Sequence, residues 1–141
     1  MEHGRQVESL KGRDFARILP NEAYEDCLAA LGSPRQEAVM LLNDRGRILF
    51  CNPEWESVGR CSADDIVGGN VRDFIPGLRL NPAAPGSNVA HATYSGRRNQ
   101  WSRHDVLDGQ GHRHDVELLL DVLMVDLNYL IVLRARKATL V

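Results

Sequence analysis

Residues Glu37 to Pro76 read EAVMLLNDRGRILFCNPEWESVGRCSADDIVGGNVRDFIP, and their order decides the fold. Ala38 to Leu42 is a compact apolar run. Asn43-Asp44-Arg45-Gly46 follows as a turn, its glycine free to take a positive φ. Ile48 to Cys51 is a second apolar run, so the pair predicts a hairpin. Asn52-Pro53 stops it, because proline cannot donate to a ladder and fixes φ for a helix start. Glu54 to Val58 is a short helix. Ser62 caps another, with Asp65 three residues on as a variant of the capping box; Ile66 and Val67 face inward and Gly68-Gly69 end it. Arg72 to Ile75 gives one further turn before Pro76.

Upstream, Phe15, Ile18 and Leu19 suggest a short helix that Pro20 ends. Asn21 is then an N-cap, with Glu22 and Glu25 in the first turn where the helix dipole favours negative charge. Tyr24, Cys27, Leu28 and Leu31 fall at i, i+3, i+4 and i+7, one apolar stripe, and Gly32 and Pro34 close the helix. Downstream, residues 77–100 read as a loop rich in Pro, Gly, Asn and Ser, with a brief helix over Val89–Tyr94. Trp101 to Leu107 is a third strand, Asp108-Gly109-Gln110-Gly111 a hairpin turn, His112 to Val125 a long strand and Tyr129 to Ala135 the last. Two strands, a helical segment and a three-stranded meander predict an α+β domain: a five-stranded antiparallel sheet with short helices on one face.

These features together resemble a PAS domain, the small sensor module of signalling proteins. The resemblance rests on the Asp44, Gly46, Arg47, Ile48 turn, the Asn52-Pro53 stop, the Ser62 to Gly68 helix with Asn70 after it, and the closing DGQG hairpin with its long apolar strand. It spans about residues 36–136 and implies strand order 2-1-5-4-3. Residues 1–35 are then a flanking helical segment and 137–141 a C-terminal tail. The resemblance implies ligand-pocket positions at Asn52, Trp55, Ile66, Val71, Phe74, Ile75, His91, Leu118, Leu120 and Leu133. It also implies homodimerisation through Tyr24, Cys27, Leu28 and Leu31, and an effector domain or partner signalling protein. The chain departs from the flavin-binding blue-light subfamily, where a cysteine follows the Asn: here Val71 stands in that place, so cysteinyl-flavin photochemistry is not expected. The long helix that bears a haem-ligating histidine in some relatives is not evident after Pro76, and haem or flavin stays an open question.

The chain has 141 residues, one domain's worth, and 43% hydrophobic content, enough for a core. A net charge of −2 gives no electrostatic reason to expect nucleic acid or an anionic membrane. The apolar runs are far short of the roughly 18–20 residues that span a bilayer, and the N-terminus lacks an apolar signal core, so the expected location is cytoplasmic. Cys27, Cys51 and Cys61 have no framework or metal spacing; Cys27 and Cys51 sit in apolar patterns and read as buried small hydrophobes.

Chemistry-bearing residues are sparse. If DGQG closes a tight turn, Leu107 lies opposite His112 and Asp105 opposite His114; His112, His114 and Asp105 then share a face and can be weighed as a metal set against a plain solvent-facing strip. The strip is the simpler reading, with no metal assigned. His91 can be weighed as an axial haem ligand against a loop histidine. Arg97, Arg98, Arg103 and Arg113, with His104 beside them, form a basic face near the third strand that either meets an acidic partner or an anionic ligand or is simply solvated. Trp55 and Trp101 are packing anchors or pocket walls. There is no GxSxG, HExxH or phosphate loop, and Asp64 and Asp65 are adjacent on a helix and face apart.

The sequence therefore points to a non-enzymatic sensory or regulatory domain that binds a small ligand or a partner. The rivals are a ligand-free interaction module with a dry core, and a small acid/base isomerase on an α+β fold. The isomerase needs a buried Asp or Glu, whereas alternation puts Asp105, Asp115, Glu117 and Asp121 outward.

Overall fold

The computed structural model describes residues 37–125 and 127–138. The stripe of Tyr24, Cys27, Leu28 and Leu31, the helix expected before Pro20, and residues 139–141 lie outside them. The elements are β1 (Ala38–Leu42), β2 (Ile48–Cys51), α1 (Pro53–Gly59), α2 (Ala63–Ile66), a 3-10 turn (Val71–Asp73), α3 (Pro85–Arg98), β3 (Ser102–Leu107), β4 (Arg113–Val125) and β5 (Asn128–Lys137). The five strands form one antiparallel sheet in the order β2-β1-β5-β4-β3.

Turn chemistry explains the first half. Asn43 Oδ1 accepts the backbone N–H of Arg45 and Arg47, and Gly46 takes φ +87, so β1 and β2 close as expected. Asn52 caps α1 and Pro53 opens it; Arg60, in the left-handed region, ends it. Gly59 packs against the Trp55 indole so closely that a Cβ there would stand 2.7 Å from Nε1. Ser62 caps α2 by accepting the Asp64 N–H, and Glu56 accepts that of Ala63. Residues 68–71 then run along the hairpin: Ile48 N–H donates to Gly69 O, Gly68 N–H to Ile48 O and Val71 N–H to Gly46 O.

Alternation along the strands sorts two apolar layers. Ala38, Met40 and Leu42 of β1, Val116, Leu118 and Leu120 of β4 and Ile131 and Leu133 of β5 join Trp55, Ile66, Val71 and Ile75 in the larger core, on the side of the helices. On the opposite face Val39, Leu41, Leu49, Phe50, Leu130 and Val132 form a second buried cluster.

Three expectations are corrected. Val67, expected to face inward beside Ile66, is exposed: it is the extended C-cap of α2, while Ile66 is buried. The segment read as a loop with a brief helix holds the fourteen-residue α3, from Pro85 to Arg98. Its buried residues are Asn88, Ala92 and Ser95, at i, i+4 and i+7, so the helix hides a small and polar face that carries no apolar period. The DGQG turn also holds one residue more than expected. Asp108 N–H donates to His112 O at 2.9 Å, Gly111 N–H donates to Asp108 O, and Gly111 takes φ +83. This type of turn with a left-handed glycine shifts the register by one. Leu107 pairs with Arg113, Val106 with His114 and Asp105 with Asp115.

Candidate functional site

Helix α3 packs on β4 and leaves a half-open cavity of about 340 Å³ between itself, the Gly77–Arg79 segment and strands β3 and β4. Its floor is apolar: Leu78, Leu118 and Leu120 are all buried. Its rim is polar, with Arg79, His91, Gln100 and Ser102 exposed and His104 half-buried. Tyr94 and Ser95 of α3 complete the roof.

Local structure places each of these groups. Ser102, His104 and Val106 alternate along β3 onto the helix-facing side, where Val106 enters the core and the other two meet the cavity. The Ser102 hydroxyl lies 2.9 Å from His104 Nε2. The other ring nitrogen faces Gly77, where a Cβ would stand 3.3 Å from Nδ1. Burial lowers the His104 pKa below its ordinary value, with the neighbouring Asp105 opposing, so the imidazole is neutral at neutral pH. Ser95 Oγ donates to Gln100 O, tying the end of α3 to the strand that follows. Asn88, 2% exposed, pins the start of α3: its amide donates to Asp44 O and Asn81 O, and its oxygen accepts the Asn81 N–H.

Of the ten expected pocket residues, His91, Leu118 and Leu120 line this cavity. Trp55, Ile66, Val71, Ile75 and Leu133 belong to the larger core, Phe74 packs against it half-buried, and none of the six lines the cavity. Asn52 is a structural stitch: it accepts the Val39 and Trp55 N–H groups and donates to Glu37 O. Sequence reasoning missed Arg79, Tyr94, Gln100, Ser102 and His104 as a group. The two-residue spacing of Ser102, His104 and Val106 was the available signal, since it puts the first two on the core side of β3.

The other constellations resolve differently. The corrected register separates Asp105 from the histidines: Asp108 takes both, His114 Nε2 at 2.8 Å and His112 Nδ1 at 3.6 Å. Among the described residues no three His, Cys, Asp or Glu side chains are grouped to hold a metal ion. Two of the four arginines of the basic face are paired, Arg103 with Asp115 at 2.6 Å and Arg113 with Asp105 at 3.2 Å, and Arg98 lies over the Tyr94 ring. Trp101 packs under the Arg136 guanidinium, 3.8 Å from its centroid. Among the described residues no Asp or Glu is buried, so the isomerase reading lacks its carboxylate there. Cys51 and Cys61 are buried free thiols, and Cys27 lies outside the described residues. His91 stands in α3, the long helix not evident from sequence, but on its exposed side. The cavity lies at the small end of the ~300–1,000 Å³ usual for ligand sites, with a polar rim.

Among solved structures the chain is similar to a PAS domain from a two-component sensor histidine kinase (TM-score 0.54, 16% identity, covering 84% of this chain and 100% of that one). It is also similar to the PAS domain of an HTR-like protein from Haloarcula marismortui (TM-score 0.55, 13% identity, 83% of this chain and 99% of that one). A third is the PAS domain of nitrogen regulation protein NR(II) from Vibrio parahaemolyticus (TM-score 0.52, 18% identity, 79% of this chain and 97% of that one). No protein-family model and no curated protein matches the chain. The chain has the PAS fold, with its five-stranded sheet and short helices on one face. No helix among the described residues is long and apolar enough to cross a membrane.

Proposed function

We propose that this chain is a non-enzymatic sensory or regulatory domain that receives a small ligand beneath α3. The half-open cavity between α3 and the β3–β4 end of the sheet carries this reading. Its apolar floor supplies burial and its polar rim orientation, the usual division of labour in a small-molecule site. The signal leaves as a population shift in the segments flanking the domain, residues 1–35 and 137–141, toward an effector domain or partner protein. Self-association as a homodimer through the Tyr24, Cys27, Leu28 and Leu31 stripe belongs to the same proposal. Solved structures of this fold that come from sensor histidine kinases support a signalling role by analogy of fold.

Native mass spectrometry of the purified protein tests both parts. Added mass that is lost in Ser102→Trp, a substitution at the exposed cavity mouth, places a ligand in the cavity. A dimeric charge-state series supports self-association. A bare monomer whose melting temperature is unmoved by any member of a metabolite panel removes the ligand-sensing role. An interaction module recruited by a partner alone then takes its place.

A further inference from the structure

The charge pattern of the cavity carries an inference that rests on the ligand-binding reading and deepens it. Its charged and titratable side chains are Arg79, His91, His104 and Tyr94, and no carboxylate lines it. Nearby acids are engaged elsewhere: Asp105 faces outward and pairs with Arg113, and Asp121 lies against Gly96 at the α3 end. An anion entering here therefore meets a permanent cation, two imidazoles and the hydroxyl of Ser102, and no opposing charge. Beyond them the floor is apolar, made by Leu78, Leu118 and Leu120. A fully polar anion would leave that floor unsatisfied by contact. A neutral hydrocarbon would have to dehydrate the rim with nothing to replace the water.

We propose that the cavity selects a small amphipathic acid: one anionic head group held by Arg79 and the Ser102 hydroxyl, which His104 orients, and a short apolar body lying on Leu78, Leu118 and Leu120. Arg79 suits the head group because its planar guanidinium presents a fork of donors to a carboxylate. His104 contributes through Ser102: its Nε2 lies 2.9 Å from the hydroxyl, and an N–H there leaves the Ser102 O–H free to donate to the head group. Arg79 is exposed, so the head group sits at the mouth and the body points inward. A charge-assisted bond at a partly solvated mouth gives selectivity for acid over isosteric amide of about tenfold, one factor of ten for each 1.4 kcal/mol.

The test uses matched pairs, hexanoate with hexanamide and benzoate with benzamide, titrated into the whole chain by calorimetry and by NMR of the imidazole protons. The expected result is that each acid binds about tenfold more tightly than its amide. Arg79→Gln should abolish the preference, bringing the acid down to the level of the amide, while leaving the melting temperature unchanged. Equal binding of acid and amide, or an unchanged preference in Arg79→Gln, overturns the anion selectivity and leaves the cavity as a ligand site. Failure of all four compounds to bind at millimolar concentration, with Ser102→Trp and the native chain behaving alike, overturns the selectivity and the ligand reading together.

Discussion

Asn52 Oδ1 accepts the backbone N–H of Val39 at 2.9 Å and that of Trp55 at 3.2 Å, joining the start of β1 to the first turn of α1 through one side-chain atom. Its amide nitrogen donates to Glu37 O, so the side chain is engaged on both sides. A residue that the resemblance put in a ligand pocket is thus a stitch between strand and helix. Asn52→Ala leaves Val39 and Trp55 without that acceptor and removes the N-cap. The expected loss is about 1–3 kcal/mol, the range for a lost cap and an unpaired N–H. Asn52→Asp keeps both acceptor bonds and loses only the donation to Glu37, so urea unfolding should show a smaller loss. Equal losses would mean that the acceptor bonds do not hold this corner.

The β3–β4 turn is built on an ionised carboxylate. Asp108 accepts from His114 Nε2 and from the backbone N–H groups of Gln110 and His112. The His114 bond first, then these backbone bonds and the His112 charge, hold its carboxyl down to about 2 against the opposing effect of burial. The folded value lies below the unfolded one. The stabilisation is therefore fully present above about pH 4 and lost as pH falls toward 2. Asp108→Asn should flatten this acid limb in urea midpoints taken between pH 2 and 5. An unchanged slope would place the acid sensitivity elsewhere.

The legible parts of the fold were those fixed by local chemistry. The β1–β2 turn announces itself through Asn43 and Gly46, and the strand stop through Asn52-Pro53; both are settled within a few residues. The register of β3 against β4 was not legible, because a four-residue turn and a turn with an added left-handed Gly111 share the same DGQG letters. That one residue turned a supposed Asp105–His114 pair into Asp105 facing Asp115. The like charges there are offset by Arg103 and Arg113 on either strand. Helix α3 was illegible for a deeper reason. Tertiary hydrogen bonds, not an apolar stripe, hold its buried face, and its N-cap Ala84 makes no side-chain bond. The candidate site was half legible, since Leu118 and Leu120 follow from strand alternation, whereas Arg79 and Gln100 come together only through the placement of α3.

Burial also sets the reactivity of the two described thiols. The Cys51 thiol is pushed up to about 12, by burial first and then by Cys61 and Glu56. The Cys61 thiol is raised by burial, with Asp108 and Asp65 adding to it and a backbone bond from Gly109 opposing. The thiolate is the reactive form, so both should resist iodoacetamide at pH 8 in the native protein and react on unfolding in urea. Peptide mapping after alkylation reads the two sites separately. Rapid native labelling of Cys51 would show that β2 opens locally, since its side chain is 6% exposed.

The polar anchoring of α3 makes a mechanical prediction. Asn88 holds the Asn81 backbone and Asp44 O at the start of the helix, and Ser95 and Gln100 hold one another at its end. Between them Ala92 is its one buried apolar side chain. Asn88→Ala should cost about 1–3 kcal/mol, from buried backbone groups left unpaired. The loss should be local: amide hydrogen exchange in α3 should accelerate while β4 and β5, joined over ten residue pairs, keep their protection. His91, Tyr94 and Ser95 ride on this helix and line the cavity, so the same substitution should weaken any ligand bound there without touching it. Equal acceleration across α3, β4 and β5 would show that the helix opens only with the whole domain. Ligand-induced changes in α3 could not then reach the flanking segments through local opening of the helix alone.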